Sequence, residues 1–189
     1  QHLSAVSHWP LFRRDALQTL ERQLQAISST PLMQQAGQAA AKLALAIAPH
    51  AQRIWVAAGP GNNGGDGLEA AIHLHRAGKA VIVSLLGDHD KRPADAQAAL
   101  ARALQAGVTV QPQAPLSWIA GMSPQDLCID ALLGLGAVKP LTSNMQAWVD
   151  AINQSPALIL ALDLPTGLNP DSGQLLGGST PTSVVKADH

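Results

Sequence analysis

Gly59-Pro60-Gly61-Asn62-Asn63-Gly64-Gly65-Asp66-Gly67-Leu68 is the stretch on which the fold turns. A short apolar run, Ile54-Trp55-Val56-Ala57-Ala58, precedes it, and a helical pattern from Leu68 to Ala77 follows. Strand, glycine loop, helix is an order that lets backbone pass close to a bound group, with amides free to donate. A helix N-terminus after such a loop favours an anion, usually a phosphate. Gly59, Gly61 and Gly64 satisfy G-x-G-x-x-G, a pattern of low specificity by itself. Asn62, Asn63 and Asp66 add three oxygen-bearing side chains, suited to polar ligand or cation contacts. The plainer alternative is a turn with Asn at left-handed positions and Asp66 capping the helix.

On the N-terminal side, Leu17, Leu20, Leu24 and Ile27 recur at three- and four-residue steps and predict an amphipathic helix over 11–28. Thr30 and Pro31 predict the N-cap and first turn of a second, alanine-rich helix from Leu32 to about Ala48. Its Gly37, Ala40 and Ala44 would let another helix approach closely. On the C-terminal side, Ala80–Leu86, Val108–Val110, Asp126–Leu133 and Ala157–Leu162 read as strands, three of them nearly continuous apolar runs. Such runs indicate burial on both faces, as in parallel sheets. Between them lie a helix over 93–106 ended by Gly107, a loop over 112–124 and a helix over 143–154 opened by Thr142 or Ser143.

Strands alternating with helices imply right-handed crossovers. The fold class is α/β: a three-layer α/β/α sandwich, Rossmann-like, its mostly parallel sheet covered by helices on both faces. Ligands of such sheets sit at the carboxyl ends of the strands, where strand order switches. The loops Gly59–Gly67, Gly134–Pro140 and Asp163–Gly167 all leave strand carboxyl ends, so they are expected on one edge around one crevice. The whole of 1–189 reads as a single domain. Ser183 to His189 reads as the approach to another strand, so the domain is expected to be truncated at its C-terminal end.

Twelve basic residues nearly balance thirteen acidic ones, which leaves no electrostatic footprint for nucleic acid. Cys128 is the single cysteine, so no internal disulfide forms. No apolar run approaches the roughly 20 residues that span a bilayer. No secretory pattern is visible, and the expected location is cytoplasmic.

Asp130 lies within an apolar strand and Asp163 directly after another, places where a carboxylate needs a partner. With Asn62, Asn63 and Asp66 they make an oxygen-rich site, suited to potassium, magnesium or calcium but not zinc. For both aspartates the simpler role is capping the turn that follows. His73 and His75, two apart, face different sides of a helix. There is no G-x-S-x-G elbow, no Gly-Lys-Ser/Thr ending, and mid-strand Cys128 is of the inert kind.

Taken together, the glycine stretch, Asp130-Ala131-Leu132-Leu133-Gly134 and Asp163-Leu164-Pro165-Thr166-Gly167-Leu168 resemble the NAD(P)H-hydrate epimerase family, the YjeF N-terminal domain. Leu32-Met33-Gln34-Gln35-Ala36-Gly37 is similar to its early helix motif, and Asp171-Ser172-Gly173 to the segment after its last loop. The resemblance implies an isomerase that interconverts the R and S forms of hydrated NADH and NADPH in cofactor repair, by acid–base chemistry without redox. It implies substrate contacts at Asn62, Asn63, Gly64, Gly65 and Asp66, along Gly134, Leu135, Gly136, Ala137, Val138, Lys139 and Pro140, and at Asp163. It implies one potassium ion (K+) per subunit at Asn63, Asp130 and Thr166, with NAD(P)HX as substrate rather than cofactor. Asp163, which the metal set leaves free, is then the expected acid–base group. A homodimer and a fused or separate dehydratase are the implied partners. Thr166 stands where the family usually has serine and keeps a hydroxyl. Lys139 stands where arginine is common, keeping the charge without the bidentate fork. Gly134-Leu135-Gly136 lacks the frequent central threonine or serine.

Two rival readings follow from the same residues. A nicotinamide-dependent oxidoreductase would use G-x-G-x-x-G with Asp88, but it would be expected to need a second, catalytic domain, which the single domain read over 1–189 does not supply. A non-catalytic binding or scaffold module on the same fold needs no carboxylates, and Asp66, Asp130 and Asp163 are all retained.

Overall fold

A computed structural model describes residues 14–177 and 184–189. At its centre is β1, Arg53–Ala58, a strand buried on both faces. Ile54, Val56 and Ala58 enter one apolar cluster, while Trp55 enters a second with Ala57. That double burial is why the run shows no polar alternation. β2 (Ala80–Leu85), β3 (Thr109–Gln111), β4 (Leu127–Ala131) and β5 (Leu158–Ala161) complete the sheet, in the order β3-β2-β1-β4-β5. Every pairing is parallel. Strand order switches beside β1, so the exits of β1 and β4 flank the crevice where such sheets bind ligands.

One face carries α2 (Leu32–Ile47), α3 (Asn62–Arg76) and α4 (Ala94–Gln105); the other carries α5 (Leu116–Ala120) and α6 (Ser143–Gln154). The three-layer α/β/α architecture expected from the sequence is therefore what the chain forms. On the second face Trp55 and Trp148 meet tilted, with ring centroids 6.4 Å apart. The buried Trp55 N–H donates to Ser84 Oγ at 2.9 Å, which removes the cost of burying it.

The main departure concerns the glycine stretch. Its helix starts not at Leu68 but at Asn62, and the loop shrinks to Gly59–Gly61. None of these glycines has a positive φ. They are there for closeness instead. A Cβ on Gly64 would lie 2.1 Å from Gly59 O, one on Gly65 2.6 Å from Met33 Sδ, and one on Gly67 2.6 Å from Ala131 Cβ. The first turns of α3 are thus wedged between its own loop, α2 and β4. Gly37 on α2 does the same, since its Cβ would lie 2.2 Å from Glu69 Cβ. The small-residue face of α2 is accordingly used within the chain, against α3.

Smaller departures have local causes. Pro31, not Thr30, is the N-cap of α2, with no side-chain cap bond. Short α5 lies within the stretch read as loop. A helix precedes α2, α1 (Arg14–Ile27), ending one residue before the expected Ser28, while the expected residues 11–13 lie outside the described residues. Its apolar stripe stays largely open: Ile27 is 81% exposed. Thr142 caps α6 as expected, accepting from Met145 N at 3.3 Å, and Gly107 takes the left-handed φ of +82° after α4. Residues 184–189 run along the free edge of β5, where Ala161 N donates to His189 O and Asp188 N to Ile159 O, each at 2.9 Å.

Candidate functional site

Three strand exits meet at the carboxyl edge of the sheet. From α3, Asn63 Nδ2 donates to Leu133 O at 3.0 Å, after β4, and to Leu162 O at 3.3 Å, after β5. Its Oδ1 is buried without a hydrogen-bond partner. From β4, Asp130 is wholly buried. Its carboxylate accepts Thr166 N at 2.8 Å, Thr166 Oγ1 at 2.8 Å and Leu132 N at 3.2 Å. Thr166 Oγ1 in turn accepts Leu133 N at 3.0 Å. Asp130 thus does cap the turns around it. It does so with neutral donors alone among the described residues, and burial, against those hydrogen bonds, pushes its carboxyl up to about 6. A buried carboxylate, a hydroxyl and an orphaned amide oxygen on one short network form an acceptor-rich spot suited to a hard cation.

Asp163 follows β5 with a φ of +68°, the one left-handed non-glycine residue among those described. Asp tolerates that region through its short polar side chain. Its carboxylate does not cap its own turn. Oδ2 reaches back to Leu135 N at 2.7 Å, tying the β5 exit to the β4 exit. Gly134 is required there, because a Cβ would lie 2.3 Å from Asp163 Oδ2. Asp163 is exposed rather than set in a pocket floor. Its backbone follows a buried strand, yet its carboxylate stands at the rim, open to a ligand.

Of the remaining expected residues, some line one of two cavities, while Gly64, Gly65, Gly134 and Leu135 line neither. Asn62 and Asp66, one turn apart on α3, line a cavity of about 500 Å³ with Glu21, Gln25, Met33 and Asp95. Gly136 to Pro140 line one of about 370 Å³ with Leu133, Thr142 and Met145. Both volumes lie in the range that holds small-molecule ligands. Burial, then the charges of Asp163, Glu21 and Glu69, pushes the Asp66 carboxyl up to about 7. Asp66 does not cap α3, which opens at Gly61 with no side-chain cap. Gly64 and Gly65 are buried against protein, so only their backbone groups remain for a ligand. Lys139 is exposed on its loop. Cys128 is buried and its thiol is pushed up to about 11 by that burial, so it is inert.

Sequence reasoning missed Glu21, Asp95 and Arg92. Glu21 and Asp95 reach the first cavity from helices whose packing the sequence does not specify. Arg92, between an exit loop and a helix, carries no motif; its guanidinium is buried under the glycine loop.

A family model described as YjeF-related protein N-terminus matches residues 29–189. An NAD(P)H-hydrate epimerase of Rhodopirellula baltica is 37% identical over 160 residues, covering 84% of this chain and 62% of that protein. One of Achromobacter xylosoxidans is 42% identical over 147 residues, covering 77% and 68%. A bifunctional NAD(P)H-hydrate repair enzyme of Thermofilum pendens is 37% identical over 162 residues, 84% of this chain but 30% of that protein. The chain thus spans under two thirds of the first and under one third of the last. The crystal structure of yeast ynu0 superposes with a TM-score of 0.75 at 24% identity, over 90% of this chain and 76% of that one, a likeness of fold.

Proposed function

This chain belongs to the family of YjeF-related protein N-termini, and on that premise we propose that it is an isomerase acting on NAD(P)H hydrates. It interconverts the R and S forms of hydrated NADH and NADPH. The observation that carries the reading is the pairing of Asp163 and Asp66 at the switch edge, where the charge of one helps hold the proton on the other. A carboxyl that holds its proton near neutral pH, lining a cavity and close enough to a second carboxylate to feel its charge, is what reversible proton transfer at neutral pH needs.

In the proposed reaction the carbon bearing the hydroxyl adjoins the ring nitrogen, whose lone pair helps expel the oxygen as the C–O bond breaks. Asp163 relays to that oxygen the proton held at Asp66, and the oxygen departs as water. Water adds to the opposite face of the ring and returns its proton, so neither oxidation nor reduction occurs. Asp66 and Asn62 line the cavity beside it, and the Leu135 N–H holds the Asp163 carboxylate in place. The Gly134–Pro140 loop and Lys139 steady the rest of the dinucleotide.

Asn63, Asp130 and Thr166 would hold a potassium ion. The unpartnered Asn63 Oδ1 and the buried Asp130 without a basic partner among the described residues support this fit. When bound, the ion supplies charge that organises these oxygens and keeps Asp130 ionised. We further propose a homodimer, in which the open Leu20, Leu24 and Ile27 stripe of α1 is the surface to examine. A cytoplasmic location and a dehydratase working on the same pool complete the proposal. No helix among the described residues is long and apolar enough to cross a membrane.

The decisive experiment incubates the protein with one separated epimer of hydrated NADH and follows the other by chromatography. The second epimer should grow in far faster than in buffer. A folded protein that leaves the epimer unchanged overturns the reading in favour of a non-catalytic module.

A further inference from the structure

Arg92 precedes α4, and its guanidinium lies beneath the glycine loop, 5% exposed. Nη1 donates to Gly59 O at 2.9 Å; Nη2 donates to Leu86 O at 2.6 Å and Gly87 O at 3.1 Å. One side chain therefore staples the exit of β1 to the exit of β2. The backbone of Arg92 is itself held, its carbonyl accepting Gln97 Nε2 at 2.9 Å. Gly59 O is also the atom on which the first turn of α3 rests, since a Cβ on Gly64 would lie 2.1 Å from it. Arg92 thus fixes the peptide that determines where α3 begins and where its opening amides point.

The charge is the stranger part. A buried guanidinium is costly unless a carboxylate or an anion answers it. Among the described residues the ion pairs are Lys91–Asp88 and Arg102–Glu69, and neither includes Arg92. Its partners are carbonyl dipoles, and its Nε is buried without any partner. Burial lowers its proton affinity, in keeping with an unanswered charge. The same loop leads into a helix N-terminus that no side chain caps, at Gly61, where nothing stands within 4 Å of a Cβ position. The buried cation and the uncapped N-terminus both add positive potential at this loop, which favours an anion there.

We propose that Arg92 is a positioning residue for the dinucleotide's phosphates: it locks the Gly59–Asn62 turn and keeps a fixed positive charge under the place where a phosphate docks. This rests on the dinucleotide reading above, and it names a residue that acts through the loop rather than by touching the substrate. Because its effect falls on phosphate binding, it belongs in KM and in ligand affinity, not in the chemical step.

The test compares the unmodified protein with Arg92→Met and Arg92→Lys, using ADP as the phosphate-bearing probe in calorimetry, with melting temperature and, where activity is present, kcat and KM. Arg92→Met should weaken ADP at least about tenfold and raise KM with kcat within about threefold. Arg92→Lys, which keeps the charge but replaces the planar fork with one compact ammonium, should fall between. Folded Arg92→Met with unchanged ADP affinity and KM, whatever its melting temperature, overturns the proposal, as does an unmodified protein that does not bind ADP. Should Arg92→Met not fold, Arg92→Lys decides: a raised KM at constant kcat supports the role, and a lowered melting temperature alone overturns it. Arg92-dependent ADP binding without epimerisation would remove the epimerase reading and leave this one standing.

Discussion

Asn63 and Leu133 are joined by a 3.0 Å hydrogen bond in which the asparagine amide donates to the carbonyl, leaving Asn63 Oδ1 buried and unanswered. That oxygen and Asp130 are linked through Leu133 and Thr166, so the β4 exit is built around acceptors. Potassium should therefore raise the melting temperature more than sodium at equal ionic strength, and Asn63→Ala should abolish the difference. Thr166→Ala removes one of the three hydrogen bonds to the buried Asp130 carboxylate and leaves Leu133 N without its acceptor, and should cost about 1–3 kcal/mol, whereas Thr166→Ser should cost little. Identical melting in the two salts would remove the cation from this site.

The glycines of the loop should differ sharply in tolerance. Gly61→Ala meets open space, while Gly64→Ala meets the carbonyl of Gly59. We expect the first to leave the melting temperature nearly unchanged and the second to cost about 1–3 kcal/mol or more, as overpacking does. Equal behaviour would mean that the glycines serve ligand approach rather than packing.

Asp66 gives stability a pH dependence with a definite sign. Its carboxyl ionises near 3.8 in the unfolded chain and at about 7 in the fold. Between those values the fold keeps a proton that the unfolded chain has lost. This contribution is whole below the lower value, falls as pH rises, and levels off above the upper one. Asp66→Asn should accordingly raise the melting temperature at pH 8 relative to the unmodified protein, and change it little at pH 3.5. Parallel curves for the two proteins across that range would contradict this.

The sheet and its helices were legible because each buried strand is a short apolar run and each crossover a helical period. Ile54 to Ala58 and Leu158 to Ala161 could hardly be anything else. The start of α3 was not legible, since glycine in a loop and glycine wedged against Gly59 O or Met33 look alike in one dimension. Asp130 and Asp163 were legible as unusual carboxylates, because strand ends advertise them. What each touches depended on which exits the topology brings together. Arg92 could not be singled out: its role exists only once β1 and β2 lie side by side.

Asp163 carries the prediction for the chemical step. Its φ of +68° is a conformation that Asn also accepts, so Asp163→Asn should fold, and its amide oxygen can still accept Leu135 N. What it loses is the titratable proton. A positioned acid–base group contributes about 10² to 10⁴ in rate, so epimerisation should slow by that factor, about 2.7–5.4 kcal/mol of transition-state stabilisation, with nucleotide affinity retained. Asp163→Ala adds a structural penalty, because alanine pays for the left-handed backbone and leaves the Leu135 N–H unanswered. Its melting temperature should fall below that of Asp163→Asn while its rate falls no further. An Asp163→Asn protein with full activity would transfer the acid–base role to Asp66, the neighbouring carboxyl whose proton affinity already lies near neutrality.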